Sequence, residues 1–200
     1  MNRIPAALRA VVRSDRHLAL QPNQCVVLRE YGAAATLTHV NVDCRGCEHI
    51  FAFTLDFRTQ SGHAVALSEH TSKAATSKWN KVCDGVFVWR DSAAACWRVL
   101  LCDIKSATPH GSDWKEQLWS SACFVDYLFS ILRRFYPGAP SPAPLRLHAV
   151  TFHGGNRATG RGKRTTAVRA GVGYPATSLD NPGKMPVGNH AYVPLRALCH

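Results

Sequence analysis

The sequence predicts an α+β protein with a mixed central β-sheet flanked by helices, on three observations. Two apolar runs rich in β-branched and aromatic residues, Val86-Phe87-Val88-Trp89 and Val99-Leu100-Leu101-Cys102, are separated by a short polar and alanine segment that makes them a hairpin. Leu118, Trp119, Ala122, Val125, Leu128, Phe129 and Leu132 then recur at helical spacing. Finally, residues 145–152 read as a further strand. Strands interrupted by one long amphipathic helix call for a sheet with helices against it.

The elements follow in order. Ala6, Leu8, Val11 and Val12 among arginines predict a short amphipathic helix within residues 1–17. Residues 24–31 read as a strand or short helix, and residues 35–42 alternate as a strand. Residues 50–58 alternate strongly, with Phe51, Phe53, Leu55 and Phe57 on one face, and a turn at Gln60-Ser61-Gly62 leads to Ala64-Val65-Ala66-Leu67 as a second hairpin. Ser112 or Asp113 is placed to cap the long helix, and Tyr136-Pro137-Gly138 stops it. The proline-rich residues 137–144 span from the helix to the next strand. Beyond Phe152, glycines and prolines punctuate a loop-rich remainder with short strands, one at residues 192–195.

The hairpin has a chemical consequence. With its turn centred between Ala93 and Ala94, paired positions sum to about 187, so Asp84 at the start of one strand lies across from Asp103 at the end of the next. Side chains alternate along a strand, so Asp103 and Lys105 share a face and Ile104 takes the other. Two carboxylates on one sheet edge resist ionisation unless a cation compensates. Magnesium, which prefers hard oxygen ligands and keeps several waters, supplies that charge, and a nearby lysine can orient or deprotonate a water or stabilise phosphorane-like charge.

Asp84, a spacer, then Asp103-Ile104-Lys105 resembles the PD-(D/E)XK nuclease superfamily, and the order of elements over residues 63–153 resembles its restriction-endonuclease-like αβββαβ core. The resemblance implies a nuclease in which Asp84 and Asp103 hold Mg2+ or Mn2+ and Lys105 activates or orients water. Gln117, on the first turns of the helix, resembles the helical glutamine of the exonuclease-like branches. Glu69 is the nearest candidate for the additional acidic metal ligand the family often carries, although no clear helix precedes the strands in the expected register.

Composition favours a polyanionic partner, nucleic acid and most simply DNA: the formal charge is +11, and residues 151–200 hold seven Lys or Arg against Asp180 alone. Arg157, Arg161, Lys163, Arg164 and Arg169 lie among glycines, a pattern that lets backbone amides and cations approach phosphates together. It is not a Walker A loop, because the Gly-x4-Gly-Lys-Ser/Thr spacing is absent. No apolar run reaches 18 residues, which argues against a transmembrane helix. Arg9, Arg13, Asp15 and Arg16 interrupt any signal-peptide core, so a cytoplasmic location and reduced cysteines are expected.

Of the eight cysteines, Cys44 and Cys47 form a Cys-x2-Cys knuckle, to which His49 or Cys25 would add ligands for a structural Zn2+. The expected organisation is a β-rich N-terminal extension or small module over residues 1–62, a nuclease-like core over 63–153, and a basic Gly/Pro-rich tail over 154–200 that packs on the core. Three functions fit these features: a metal-dependent nuclease, a nucleic-acid-binding module without catalysis, or a zinc-stabilised interaction protein. A homo-oligomer or partner protein is compatible with all three.

Overall fold

A computed structural model describes residues 3–30, 35–56, 81–136, 145–154, 178–188 and 191–199. The long helix α2 (Asp113–Phe135) and the short α1 (Arg3–Val11) cover one face of a five-stranded sheet. That sheet contains β3 (Glu48–Phe53), β4 (Gly85–Asp91), β5 (Cys96–Lys105), β6 (Leu145–His153) and β7 (Gly183–Pro186), in that spatial order. A three-stranded sheet of β1 (Cys25–Arg29), β2 (His39–Asp43) and β8 (Tyr192–Pro194) packs on the other face. The α+β class and the mixed sheet flanked by helices are therefore present. The β1–β2 hairpin belongs to the second sheet and β3 to the main one, so the N-terminal strands divide between layers.

Strand β5 organises the molecule. Its odd-numbered residues Trp97, Val99 and Leu101 pack under the helices, and its even-numbered Leu100, Cys102 and Ile104 pack toward the second sheet. All of these are fully buried or nearly so. A strand apolar on both faces is confined to the centre of a sheet, and here it pairs antiparallel with β4 and parallel with β6. The β4–β5 register runs from Gly85↔Cys102 to Asp91↔Cys96, each pair summing to 187 as the turn position predicts. Asp91 accepts from the Ala94 amide at 3.1 Å and Ala95 takes a left-handed conformation, φ 51°, which together close the four-residue loop.

The helix on residues 113–135 buries Leu118, Ala122, Val125, Leu128, Phe129 and Leu132 as its spacing predicts, but Trp119 is exposed and Trp114, one turn before Leu118, is buried instead. Ser112 does flank its start, but its side chain makes no capping bond to the backbone and instead donates to Glu116. The N-terminal helix is present, with Ile4, Ala7 and Leu8 in the core. Strand β3 ends at Phe53, where residues 50–58 were expected to continue. The expected hairpin at residues 64–67 and Glu69 lie outside the described residues, as do Arg157, Arg161, Lys163, Arg164 and Arg169.

Two glycines allow close packing at the end of the sheet where Asp84 and Lys105 stand, one against a side chain and one against backbone. A Cβ on Gly85 would lie 2.3 Å from Leu28 Cδ2, and one on Gly154 would lie 2.6 Å from the Ser106 carbonyl oxygen. The first contact brings β1 down onto β4 beside Asp84. The second lets the Gly154 amide donate to the Lys105 carbonyl at 3.1 Å, extending the β5–β6 pairing past the strand ends.

Candidate active site

Asp84 immediately precedes β4, and the register that pairs Gly85 with Cys102 brings it to the level of Asp103. Both point under α2. Asp103 is fully buried and Asp84 nearly so. The Ile104 amide donates to Asp84 Oδ2 at 2.6 Å, so the backbone of β5 fixes one carboxylate relative to the other.

Lys105, two residues on from Asp103, turns to the same face and places Nζ 3.0 Å from Asp103 Oδ1 and 2.9 Å from Oδ2. Gln117 completes the group from the second turn of α2. Its Oε1 accepts from Lys105 Nζ at 3.1 Å, and its Nε2 donates to Asp103 Oδ1 at 2.9 Å and to the carbonyl of Val82. The helix is itself tied to the strand entry. Ser121 Oγ accepts from the Cys83 amide at 2.8 Å and donates to the Gln117 carbonyl at 2.9 Å. Asp84, Asp103, Lys105 and Gln117, four residues expected from sequence, thus form one connected site.

Burial sets its electrostatics. Desolvation, reinforced by the charge of Asp103, pushes the Asp84 carboxyl well above the usual carboxylate range, and the Ile104 amide only partly opposes this. Desolvation also raises Asp103, against the pull of Lys105. Burial works against the Lys105 ammonium, but Asp103, Asp84 and Glu30 outweigh it and hold its pKa above the ordinary value. Lys105 is therefore charged at neutral pH, with a third of its side chain open to solvent.

Glu30 enters here without having been expected. It follows β1 directly, and its charge is felt at Asp84, Asp103 and Lys105. Nothing in its local sequence distinguishes it, because its nearness depends on how the second sheet packs on the first. Thr151 is another such residue. It pairs with Asp103 across the parallel β5–β6 ladder and is fully buried.

Among the described residues, two buried side-chain oxygens lack a hydrogen-bond partner: Asp103 Oδ2 and Thr151 Oγ1. Lys105 Nζ is near the first but out of line for a hydrogen bond. Two buried carboxylates side by side are the kind of oxygen ligand a hard divalent cation takes, with water and phosphate oxygens as further ligands. Asp84 and Asp103 thus offer two of the hard oxygen ligands that Mg2+ or Mn2+ prefers.

No three His, Cys, Asp or Glu side chains among the described residues gather into a group that could hold a metal ion. The residues of the expected Zn2+ knuckle, Cys25, Cys44, Cys47 and His49, are among those that form no such group. Cys44 is buried with Sγ directed at the Val42 carbonyl, Cys25 Sγ is directed at the Asn23 carbonyl, and His49 is exposed at a positive φ of 53° in an irregularity of β3. Burial raises the Cys44 and Cys47 thiols, the latter to about 11, so both are protonated at neutral pH in the metal-free protein.

No helix among the described residues is long and apolar enough to cross a membrane. No known family model, curated protein or solved structure matches this chain.

Proposed function

We propose that the protein is a metal-dependent phosphodiesterase that cleaves nucleic acid, with DNA as the expected substrate. The observation that carries this reading is the buried Asp84–Asp103 pair with Lys105 and Gln117 bonded to it. The succession α1, β3, β4, β5, α2, β6 also supports it, being the order of elements in PD-(D/E)XK nucleases with the β1–β2 hairpin inserted.

Asp84 and Asp103 would hold Mg2+ or Mn2+, which when bound supplies Lewis-acid stabilisation and lowers the pKa of its water. The remaining roles belong to the chain. Lys105, charged at neutral pH and partly exposed, acts as a hydrogen-bond donor and stabiliser of developing negative charge rather than as the proton acceptor. Gln117 fixes the Asp103 and Lys105 rotamers at once, because its amide donates to one and accepts from the other. The cations at Arg157, Arg161, Lys163, Arg164 and Arg169 follow β6 in sequence and would contribute sequence-independent affinity for the backbone.

A cleavage assay tests this directly. Single-stranded and duplex DNA and RNA are incubated with the full chain in Mg2+ or Mn2+, beside the Asp103→Ala variant. The reading expects metal-dependent cleavage of at least one form by the wild type and none by the variant. Binding without cleavage in either metal would replace it with a nucleic-acid-binding module, and neither binding nor cleavage would end both readings.

A further inference from the structure

Lys184 stands in the same cross-strand row as the acidic pair. Asp103 pairs with Thr151 on β6, and Thr151 pairs with Lys184 on β7. Directly paired residues project to one face, and at a strand spacing of about 4.8 Å the Asp103 and Lys184 backbones stand about 10 Å apart.

The ammonium is held in place. It donates to the Pro109 carbonyl at 2.9 Å, in the loop between β5 and α2, and lies 4.9 Å from the centroid of the Trp114 ring at the start of α2. An ammonium has three donors, and this arrangement uses one. Lys184 is exposed, and among the described residues no carboxylate pairs with it. Lys105 differs, since its charge is neutralised by Asp103. In the next row His153 is buried, with Nδ1 3.4 Å from Thr108 Oγ1. Burial and the Lys184 charge lower its pKa, so the ring stays uncharged at neutral pH.

A fixed, unneutralised cation two strands from a carboxylate pair, on the same face, is placed to receive an anion. We infer that Lys184 is the anchor of a second phosphate subsite, which takes a phosphate group adjoining the one presented to Asp84 and Asp103. Lys184 binds it by a charge-assisted hydrogen bond, and Pro109 and Trp114 hold the ammonium ready. The identification of this group as nucleic-acid phosphate rests on the phosphodiesterase reading; the presence of an anion subsite does not.

The test uses the full chain as wild type, Lys184→Gln and Lys184→Arg, in EDTA so that no cleavage intervenes. Inorganic phosphate should raise the thermal midpoint of the wild type and of Lys184→Arg but not that of Lys184→Gln. Anisotropy is then read with one oligonucleotide carrying either a 5′-phosphate or a 5′-hydroxyl. Lys184→Gln should bind about tenfold more weakly, the scale of one lost charge-assisted hydrogen bond. A loss confined to the 5′-phosphorylated form assigns the subsite to a terminal phosphate, and an equal loss for both assigns it to an internal diester.

Unchanged phosphate response and oligonucleotide affinity in Lys184→Gln would overturn the inference, leaving Lys184 as a tie between β7 and the loop. Such a result beside intact cleavage sinks only the subsite. Phosphate binding through Lys184 in a protein that cleaves no nucleic acid sinks only the phosphodiesterase reading.

Discussion

Asp103 and Thr151 face each other across the parallel β5–β6 ladder, and each carries a fully buried oxygen without a hydrogen-bond partner. One is an acceptor and the other can donate; the Lys105 ammonium 2.9 Å from Asp103 Oδ2 offsets the charge of the first, and the second has no partner among the described residues. Interiors seldom tolerate this, since an unpaired buried polar group costs about 1–3 kcal/mol. A buried group left in this state calls for an explanation, such as an ordered water, a bound ion or a catalytic role.

Thr151→Val tests how the hydroxyl stands, because valine keeps the shape and removes the unpaired group. Urea denaturation of the metal-free protein should show this variant as stable as the wild type or more stable by about 1 kcal/mol. A loss of similar size would mean that the hydroxyl has a partner such as a buried water.

The raised carboxyls give a pH dependence of definite sign. Asp84 and Asp103 keep their protons in the folded state at pH values where unfolded aspartates, near 3.9, have lost theirs. The native state then binds more protons than the unfolded state, so their contribution to stability falls as pH rises above about 4. Asp43 and Asp91 are shifted down, Asp43 chiefly by hydrogen bonds from Arg45 and Asp91 by the Ala94 amide and Arg98, and they lose stability only below that range. The raised Lys105 stays charged throughout. The lowered His153 acts in the opposite direction near pH 6, so the test is the difference between wild type and Asp103→Asn: urea midpoints of the metal-free wild type should fall relative to those of the variant from about pH 4 to about pH 7. Mg2+ should restore stability at the upper end for wild type and not for the variant, with protons released on binding. Parallel wild-type and Asp103→Asn profiles would show that the pair is not strained by ionisation.

The basic segment makes a separate prediction. If Arg161, Lys163 and Arg164 neutralise phosphates, replacing all three with Ala should reduce the slope of log affinity against log salt by up to about 3, near 0.9 per phosphate contact. An unchanged slope would place the binding face elsewhere on the chain.

Much of the site was legible because the hairpin is local. A four-residue turn fixes the β4–β5 register, so the position of Asp84 relative to Asp103 and the shared face of Asp103 and Lys105 follow from residues close in sequence. Gln117 was legible for a similar reason, one helical segment following the strand. What was not legible depends on parallel pairing and sheet packing. No turn sets the register of β6 or β7, so neither Thr151 nor Lys184 could be placed beside Asp103 from sequence. Strand β7 is four residues long and includes a glycine and a proline, which hides it from pattern reading. Glu30 reaches the site only through the packing of one sheet on another.

If the proposed hydrolysis occurs here, the hydrogen bonds that Gln117 donates to Asp103 and accepts from Lys105 would make it cooperative rather than additive. Asp84→Asn, Asp103→Asn and Lys105→Ala should each abolish Mg2+-dependent cleavage, and the triple variant should lose no more than the most damaged single one, because the residues act as a unit. Nucleic-acid binding should largely survive if affinity comes from cations outside the acidic pair, as proposed, and the two Asn variants should then bind slightly more tightly once a negative charge facing the phosphates is gone. Gln117→Ala separates positioning from chemistry. It leaves Asp103 and the Val82 carbonyl short of a donor, so it should destabilise the fold by about 1–3 kcal/mol while reducing cleavage less than the loss of either carboxylate. Full activity in all three single variants would mean that the buried pair is a structural feature of this sheet and that any hydrolysis occurs at another site.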